Sequence, residues 1–139
     1  MKREFVSKSA EETSKFAKEF ANELVAGDIV LLNGDLGAGK TVFVKAVTEK
    51  FSNGKNVAVS PTFTIVNTYE TSPTIYHFDL YRINDASELD AIGAEEYLYG
   101  DGISFVEWAE RAPSYFSSNV VNVEILKLSE NERLIRIER

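Results

Sequence analysis

The eight residues Gly34-Asp35-Leu36-Gly37-Ala38-Gly39-Lys40-Thr41 (GDLGAGKT) meet the pattern G-x-x-x-x-G-K-[ST], and what flanks them decides the fold. The apolar run DIVLLN (28–33) before them fits a buried strand, and VFVKAVTEKF (42–51) after them can be helical. Strand, glycine-rich loop and helix form the context in which this motif cradles phosphate. Gly37 and Gly39 open backbone conformations that a Cβ forbids, so successive N–H groups can point inward at an anion. The helix, expected to begin near Gly39, adds its free N–H groups and positive dipole end. The backbone of Asp35, Leu36, Gly37, Ala38 and Gly39 is therefore expected to line the phosphates of a nucleotide. Lys40 can reach the β- and γ-phosphates as a point charge, and the Thr41 hydroxyl can ligate Mg²⁺. The guanine-reading pattern N-K-x-D is absent, which favours ATP over GTP by default.

Working outward, 139 residues suit one domain spanning 1–139 with a single core, and are too few for two of ordinary size. A hydrophobic content of 44% and a charged content of 27% lie in the globular range, without the apolar depletion that marks disorder. With no cysteine, disulfides, Cys-ligated zinc and thiol catalysis are excluded. A formal net charge of −7 argues against a free-standing nucleic-acid binder, which needs basic residues to displace counterions. The opening MKREFVSKSAEETS has basic residues but no apolar segment behind them, and no run approaches the ~20 residues that span a bilayer. A cytoplasmic protein with no membrane partner is expected.

Elsewhere the patterns alternate between helix and strand. SAEETSKFAKEFANEL (9–24) offers Ser9 as N-cap with Glu12 as capping-box partner, and apolar or small residues at Phe16, Ala17, Phe20, Ala21 and Leu24. VAVSPTFTIVNTYE (57–70) and TIYHFDLYRI (74–83) are rich in β-branched and aromatic residues, and TSP (71–73) between them suits a turn. They read as paired antiparallel strands. DASELDAIGAEEYL (85–98) reads as one helix with Asp85 as cap and Glu88 as its box partner, placing Leu89, Ile92 and Tyr97 near one face. ISFVEW (103–108) reads as a buried strand, and VVNVEILKL (120–128) and RLIRIER (133–139) as a C-terminal hairpin around Ser129–Glu132. The expected fold is α/β: a single P-loop NTPase-like domain with a central mixed β-sheet flanked by helices, antiparallel strands and a C-terminal hairpin.

Binding nucleotide needs only the loop, whereas turnover needs carboxylates to hold the metal and orient the attacking group. Two stand at strand ends. The period of two in TIYHFDLYR puts Ile75, His77, Asp79 and Tyr81 on one face and Tyr76, Phe78 and Leu80 on the other, so Asp79 leaves an otherwise apolar strand. In ISFVEWAE, four residues of strand character lead into Glu107, like a Walker B strand ending with glutamate instead of aspartate. Either acid could bind Mg²⁺ directly or through water. His77, the only histidine, is a packing residue or a catalyst, and Trp108 an ordinary core residue or a partly buried anchor at the edge of the site. In SPTFT the hydroxyls of Ser60, Thr62 and Thr64 share one side of an extended segment, where a threonine could sense the γ-phosphate or simply favour a strand.

The residues GDLGAGKT, SPTFT, HFDLYR and VEW, in this order and in so short a chain, resemble the TsaE (YjeE) family of bacterial P-loop ATPases, needed to make threonylcarbamoyladenosine in transfer RNA. The resemblance covers nearly the whole chain, from SAEET to the hairpin. It implies a cytoplasmic protein that binds Mg·ATP weakly alone and works with the TsaB–TsaD pair, meeting tRNA only through that complex. In that scheme TsaD transfers the threonylcarbamoyl group to the adenosine next to the anticodon, and ATP hydrolysis resets the complex. Residue by residue, Lys40 matches the family's phosphate-binding lysine, Thr41 its metal-ligating hydroxyl, Glu107 its metal-associated acid and Asp79 its essential aspartate. Arg133 falls where members often carry a basic residue near the nucleotide. One departure is Val42, where many members read GKTT, which removes a second hydroxyl from the loop.

Two other readings start from the same loop. A small-molecule kinase also opens with this motif but usually needs arginines over the transferred phosphate, and the chain after Glu107 holds only Arg111 before turning to strands. A non-hydrolysing, ATP-sensing adaptor would need only the loop and a partner surface.

Overall fold

The computed structural model describes residues 2–35, 37–53, 59–62, 65–116 and 119–139, with residues 59–62 described by their backbone. In chain order the elements are β1 (Lys2–Ser7), α1 (Ala10–Ala21), β2 (Ile29–Asn33), α2 (Lys40–Phe51), β3 (Val59–Thr62), β4 (Val66–Tyr69), β5 (Ile75–Asp79), α3 (Ser87–Ala91), α4 (Ala94–Leu98), β6 (Ile103–Glu107), β7 (Val120–Lys127) and β8 (Arg133–Glu138). Two 3-10 turns, Ala109–Arg111 and Pro113–Phe116, follow β6.

Among the described residues the strands form one sheet in the order β1-β8-β7-β2-β6-β5-β4-β3. Its middle is parallel: β2 pairs with both β6 and β7, and β6 with β5. Both flanks are antiparallel, β8 joining β7 and β1 on one side and β4 joining β5 and β3 on the other. The result is the mixed α/β sheet of a P-loop NTPase-like fold.

Residues 29–32 are all buried, as befits a strand covered on both faces. Alternation sends Val30 and Leu32 to the face under α1 and α2, with Ile103, Phe105, Phe20 and Phe43. Ile29 and Leu31 go to the opposite face, with Phe78, Val106, Leu89, Leu98 and Phe116. Each large side chain so buried is worth about 1.5–3 kcal/mol, which fixes strand register and thereby the level at which each strand ends.

Local signals mostly act as expected. Ser9 caps α1 by accepting the Glu12 N–H at 3.1 Å, while the Glu12 carboxylate reaches back to the Lys8 N–H at 3.1 Å, one residue beyond a standard box. The 71–73 turn closes as Thr71 donates its N–H to the Tyr69 carbonyl at 2.9 Å and its hydroxyl to the Pro73 carbonyl at 2.7 Å.

Three readings are corrected. The opening residues, read only for the absence of a leader, form β1 on the edge beside β8, with the Phe5 ring stacked on Phe16 at 4.5 Å. The segment 57–70 holds two strands, since β3 pairs antiparallel with β4 in addition to the expected pairing of β4 with β5. The single helix over 85–98 is two short ones, because Gly93 takes φ 69° between α3 and α4. Leu89 is buried and Tyr97 half-buried, but Ile92 is exposed. Asp85 lies one residue before the N-cap Ala86 and accepts the Ser87 N–H at 2.9 Å, and Glu88 accepts from Asn84, so the cap is built from neighbouring groups.

Candidate nucleotide site

The loop begins where β2 ends and turns into α2, at the carboxyl end of the parallel strands, where ligands of open α/β sheets bind. Gly34 is required by contact: at φ 151° a Cβ there would stand 2.4 Å from the Ile125 carbonyl oxygen of β7. Gly37 (φ 79°) and Gly39 (φ 110°) are required by conformation, since a Cβ on either would meet open space. The Asp35 carbonyl accepts the Ala38 N–H at 3.0 Å, and the Gly39 carbonyl accepts that of Phe43 at 3.0 Å, closing the first turn of α2. The N–H groups of Lys40, Thr41 and Val42 lie in that turn, where no carbonyl of the helix can reach them. Leu36 lies outside the described residues.

Lys40 is buried, and its ammonium lies 3.3 Å from Glu107 Oε1. The other carboxylate oxygen, Oε2, is 2.6 Å from His77 Nε2, so the ionised acid accepts from Nε2–H. These three side chains come from different elements: the first turn of α2, the end of β6 and the middle of β5. Register brings them together, because Leu32, the penultimate residue of β2, pairs with Glu107, and Phe105 two residues earlier pairs with His77. Burial pushes the Glu107 carboxyl up, but the His77 hydrogen bond, the His77 charge and Lys40 together outweigh it and hold the acid below its ordinary range.

Asp79 is the register partner of Glu107 and ends β5 at the same level. It is exposed, and its Oδ1 accepts the Tyr81 N–H at 3.1 Å. Two strand spacings separate β5 from β2, about 10 Å, so Asp79 stands beside the loop rather than in it. Trp108 follows Glu107 in a left-handed conformation, φ 62° and ψ 39°, which is sparsely populated by bulky residues and is held here by packing. Its half-buried ring packs 5.0 Å from Tyr81, with the Arg111 guanidinium 5.6 Å from its centre.

On the opposite flank Arg133, at the start of β8, donates from Nε to the Ala38 carbonyl at 2.9 Å and from Nη2 to the Gly37 carbonyl at 3.2 Å. Its Nη1 donates to the carbonyls of Ser129, Glu130 and Glu132 at 2.9–3.2 Å. A cleft of about 170 Å³ opens here between Ser9, Thr13, Gly37–Gly39 and Asn131.

The arrangement fits a nucleotide phosphate: an open loop face, first-turn amides beyond the reach of the helix's own carbonyls, and the buried Lys40 ammonium. It fits magnesium only with help. Among the described residues no group of three or more His, Asp or Glu side chains is placed to hold a metal, whereas Mg²⁺ at nucleotide sites takes one or two protein ligands with phosphate and water for the rest. Thr41, exposed at the start of α2, and Glu107 lie nearest the loop to supply those ligands, with Asp79 one strand farther out beside Glu107. Thr64 lies outside the described residues, as do the side chains of Ser60 and Thr62. The His77–Glu107 and Arg133–loop contacts carry no local signal, since they join positions 30 and 95 or more residues apart.

A family profile described as "Threonylcarbamoyl adenosine biosynthesis protein TsaE" matches residues 7–135. The chain is 44% identical over 128 residues to a Rickettsia felis protein named tRNA threonylcarbamoyladenosine biosynthesis protein TsaE, covering 91% of this chain and 74% of that one. It is 41% identical over 139 residues to the Aquifex aeolicus protein of the same name, covering 99% and 96%. The crystal structure of Bacillus subtilis YdiB superposes with a TM-score of 0.76 at 30% identity, over 99% of this chain and 84% of that one.

Proposed function

The chain belongs to the TsaE family, which serves tRNA threonylcarbamoyladenosine biosynthesis, and from that premise we propose that it is the Mg-dependent ATPase subunit of the modifying machinery. It works with TsaB and TsaD in the cytoplasm and meets tRNA only through them. The observation that carries this reading is the chain of contacts Lys40–Glu107–His77 at the mouth of the phosphate loop. A loop that only sensed nucleotide would not need a carboxylate held between a lysine and a histidine.

The loop backbone and the first-turn amides of α2 bind the phosphates, and Lys40 neutralises them by leaving Glu107 for the nucleotide. Thr41 and the freed Glu107 would hold Mg²⁺, which would supply positive charge beside the phosphates. His77 keeps the second oxygen of Glu107, so the acid changes partner without losing its orientation. Asp79, about 10 Å of sheet away, acts from outside the metal's ligands, orienting the water that attacks.

The test is inorganic phosphate release from Mg·ATP by the protein alone and with TsaB and TsaD added. The expected outcome is slow release alone and strong stimulation by the pair. Phosphate appearing on an added acceptor would mean a kinase. Binding without release, under both conditions, would mean an adaptor.

A further inference from the structure

Arg133 is the one member of the expected nucleotide-binding set whose contacts all run to backbone carbonyls: two on the loop, at Gly37 and Ala38, and three on the 129–132 turn. We infer that Arg133 is a positioning residue that never touches the nucleotide but sets the shape of the phosphate loop by holding its carbonyls outward. This deepens the proposed ATPase reading and rests on it for the identity of the anion.

The argument is geometric. In a trans peptide the C=O and the following N–H point in opposite directions. Anchoring the Ala38 carbonyl on Arg133 therefore turns the Gly39 N–H away from β8. The strand order places β6 on that far side of β2, so the amide turns toward the flank where Lys40 and Glu107 sit. The 37–38 peptide behaves in the same way: Arg133 takes its carbonyl, and its N–H closes the Asp35 turn. With glycines at 37 and 39 and open space around both, the Ala38–Asp35 bond holds the 37–38 peptide but does not select the orientation of the 38–39 peptide. Two parallel donors from one rigid planar group select it.

Arginine is the side chain that can do this. Nε and Nη2 lie along one edge of the guanidinium and span adjacent carbonyls, while Nη1 on the far side ties the group to the hairpin turn. A lysine is a point charge on a flexible stem and cannot hold two carbonyls in fixed relation while also gripping the turn. Arg133 has a second anchor to work against, because Gly34, at the other end of the loop, is pressed onto the Ile125 carbonyl of β7. The hairpin thus grips the loop's main chain at its start and at its middle.

The experiment compares wild type, Arg133→Lys and Arg133→Met in two measurements. Amide hydrogen exchange at Gly37–Lys40 is read in the nucleotide-free protein, and Kd is read for both Mg·ATP and Mg·ADP. Unfolding midpoints within a few degrees of wild type identify variants that have folded. The expected result is faster exchange at Ala38, whose N–H is bonded to the Asp35 carbonyl, in both variants and a loss of affinity of about tenfold in both, equal for ATP and ADP, with turnover at saturating ATP changed much less. Lysine failing to rescue is the signature of the fork. If Arg133→Lys binds both nucleotides like wild type while Arg133→Met does not, charge and not shape is what matters, and the inference is overturned. Unchanged exchange in both variants overturns it as well. Should wild type bind neither nucleotide, the ATPase reading fails while the exchange measurement still decides the clamp.

Discussion

The two strands that flank β2 treat the phosphate loop in opposite ways. From the β6 side it meets side chains: the Glu107 carboxylate on Lys40, with His77 behind it. From the β7 side, and β8 beyond, it is held by its own main chain: the Ile125 carbonyl lies close on Gly34, and the loop's carbonyls accept from the Arg133 guanidinium. One flank presents a carboxylate, an ammonium and an imidazole, and the other a backbone carbonyl and a guanidinium clasped on carbonyls. Chemistry and shape are thereby assigned to different parts of the sheet, and substitutions on the two flanks should fail in different ways.

The harshest way to test this division is Gly34→Ala on the shape side. Its Cβ would lie 2.4 Å from a backbone oxygen that a strand holds in place, so we expect destabilisation of roughly 1–3 kcal/mol and loss of nucleotide binding as well. Calorimetric unfolding and an ATP titration would show both, and a variant that melts and binds like wild type would break the comparison. Next comes Glu107→Gln on the chemistry side. Turnover in the assembled complex should fall about 100-fold or more while affinity for Mg·ATP stays within about threefold, because what is lost acts at the reacting phosphate.

A finer cut runs through His77. Replacing it with alanine removes one hydrogen bond to a charged group, so turnover should drop about five- to tenfold, and His77→Gln, which keeps a donor, should recover most of that. Equal losses in both would mean that ring packing, and not the bond to Glu107, is what position 77 supplies. The smallest effect is on stability against pH. The folded carboxyl of Glu107 lies below its ordinary value of 4.5, so its contribution is fully present above about pH 4.5 and is lost as pH falls through the lower folded value. The gap in unfolding midpoint between wild type and Glu107→Gln should therefore narrow with acid, and a gap that widened would reverse the sign.

What could be read from the sequence divides along the same line. The loop, its flanking strand and helix, the acid ending ISFVE and the hairpin all announce themselves by local pattern, because each depends on residues within a turn or two of one another. β1 did not: in KREFVS the outward residues are Lys2, Glu4 and Val6, so no clean alternation marks an edge strand whose inner face packs through Phe5. Gly93 sits inside a convincing helical period, and its left-handed turn follows from tertiary packing of Leu89 and Leu98 on the same face. The partners of Glu107 and Arg133 depend on which strands become neighbours, and strand order is not written in any window of the chain. Asp79 and Glu107 were both legible as strand-end acids, but that one is tied to Lys40 and the other faces water follows only from the register and the strand count.

β1 also says when this protein can become itself. It closes the sheet by lying on β8, where Glu4 meets Arg136 at 2.7 Å across 132 residues of chain. On a ribosome, β1, the loop and Lys40 are made early, while the hairpin that grips the loop is made late. A nascent chain stalled after β6 has every side chain of the β6 flank in hand and nothing to hold the loop against. Contacts of such separation form slowly, after the entropy of closing the intervening chain has been met. A chain that ends before β7 therefore lacks both of the hairpin's holds on the loop, the Arg133 guanidinium and the Ile125 carbonyl.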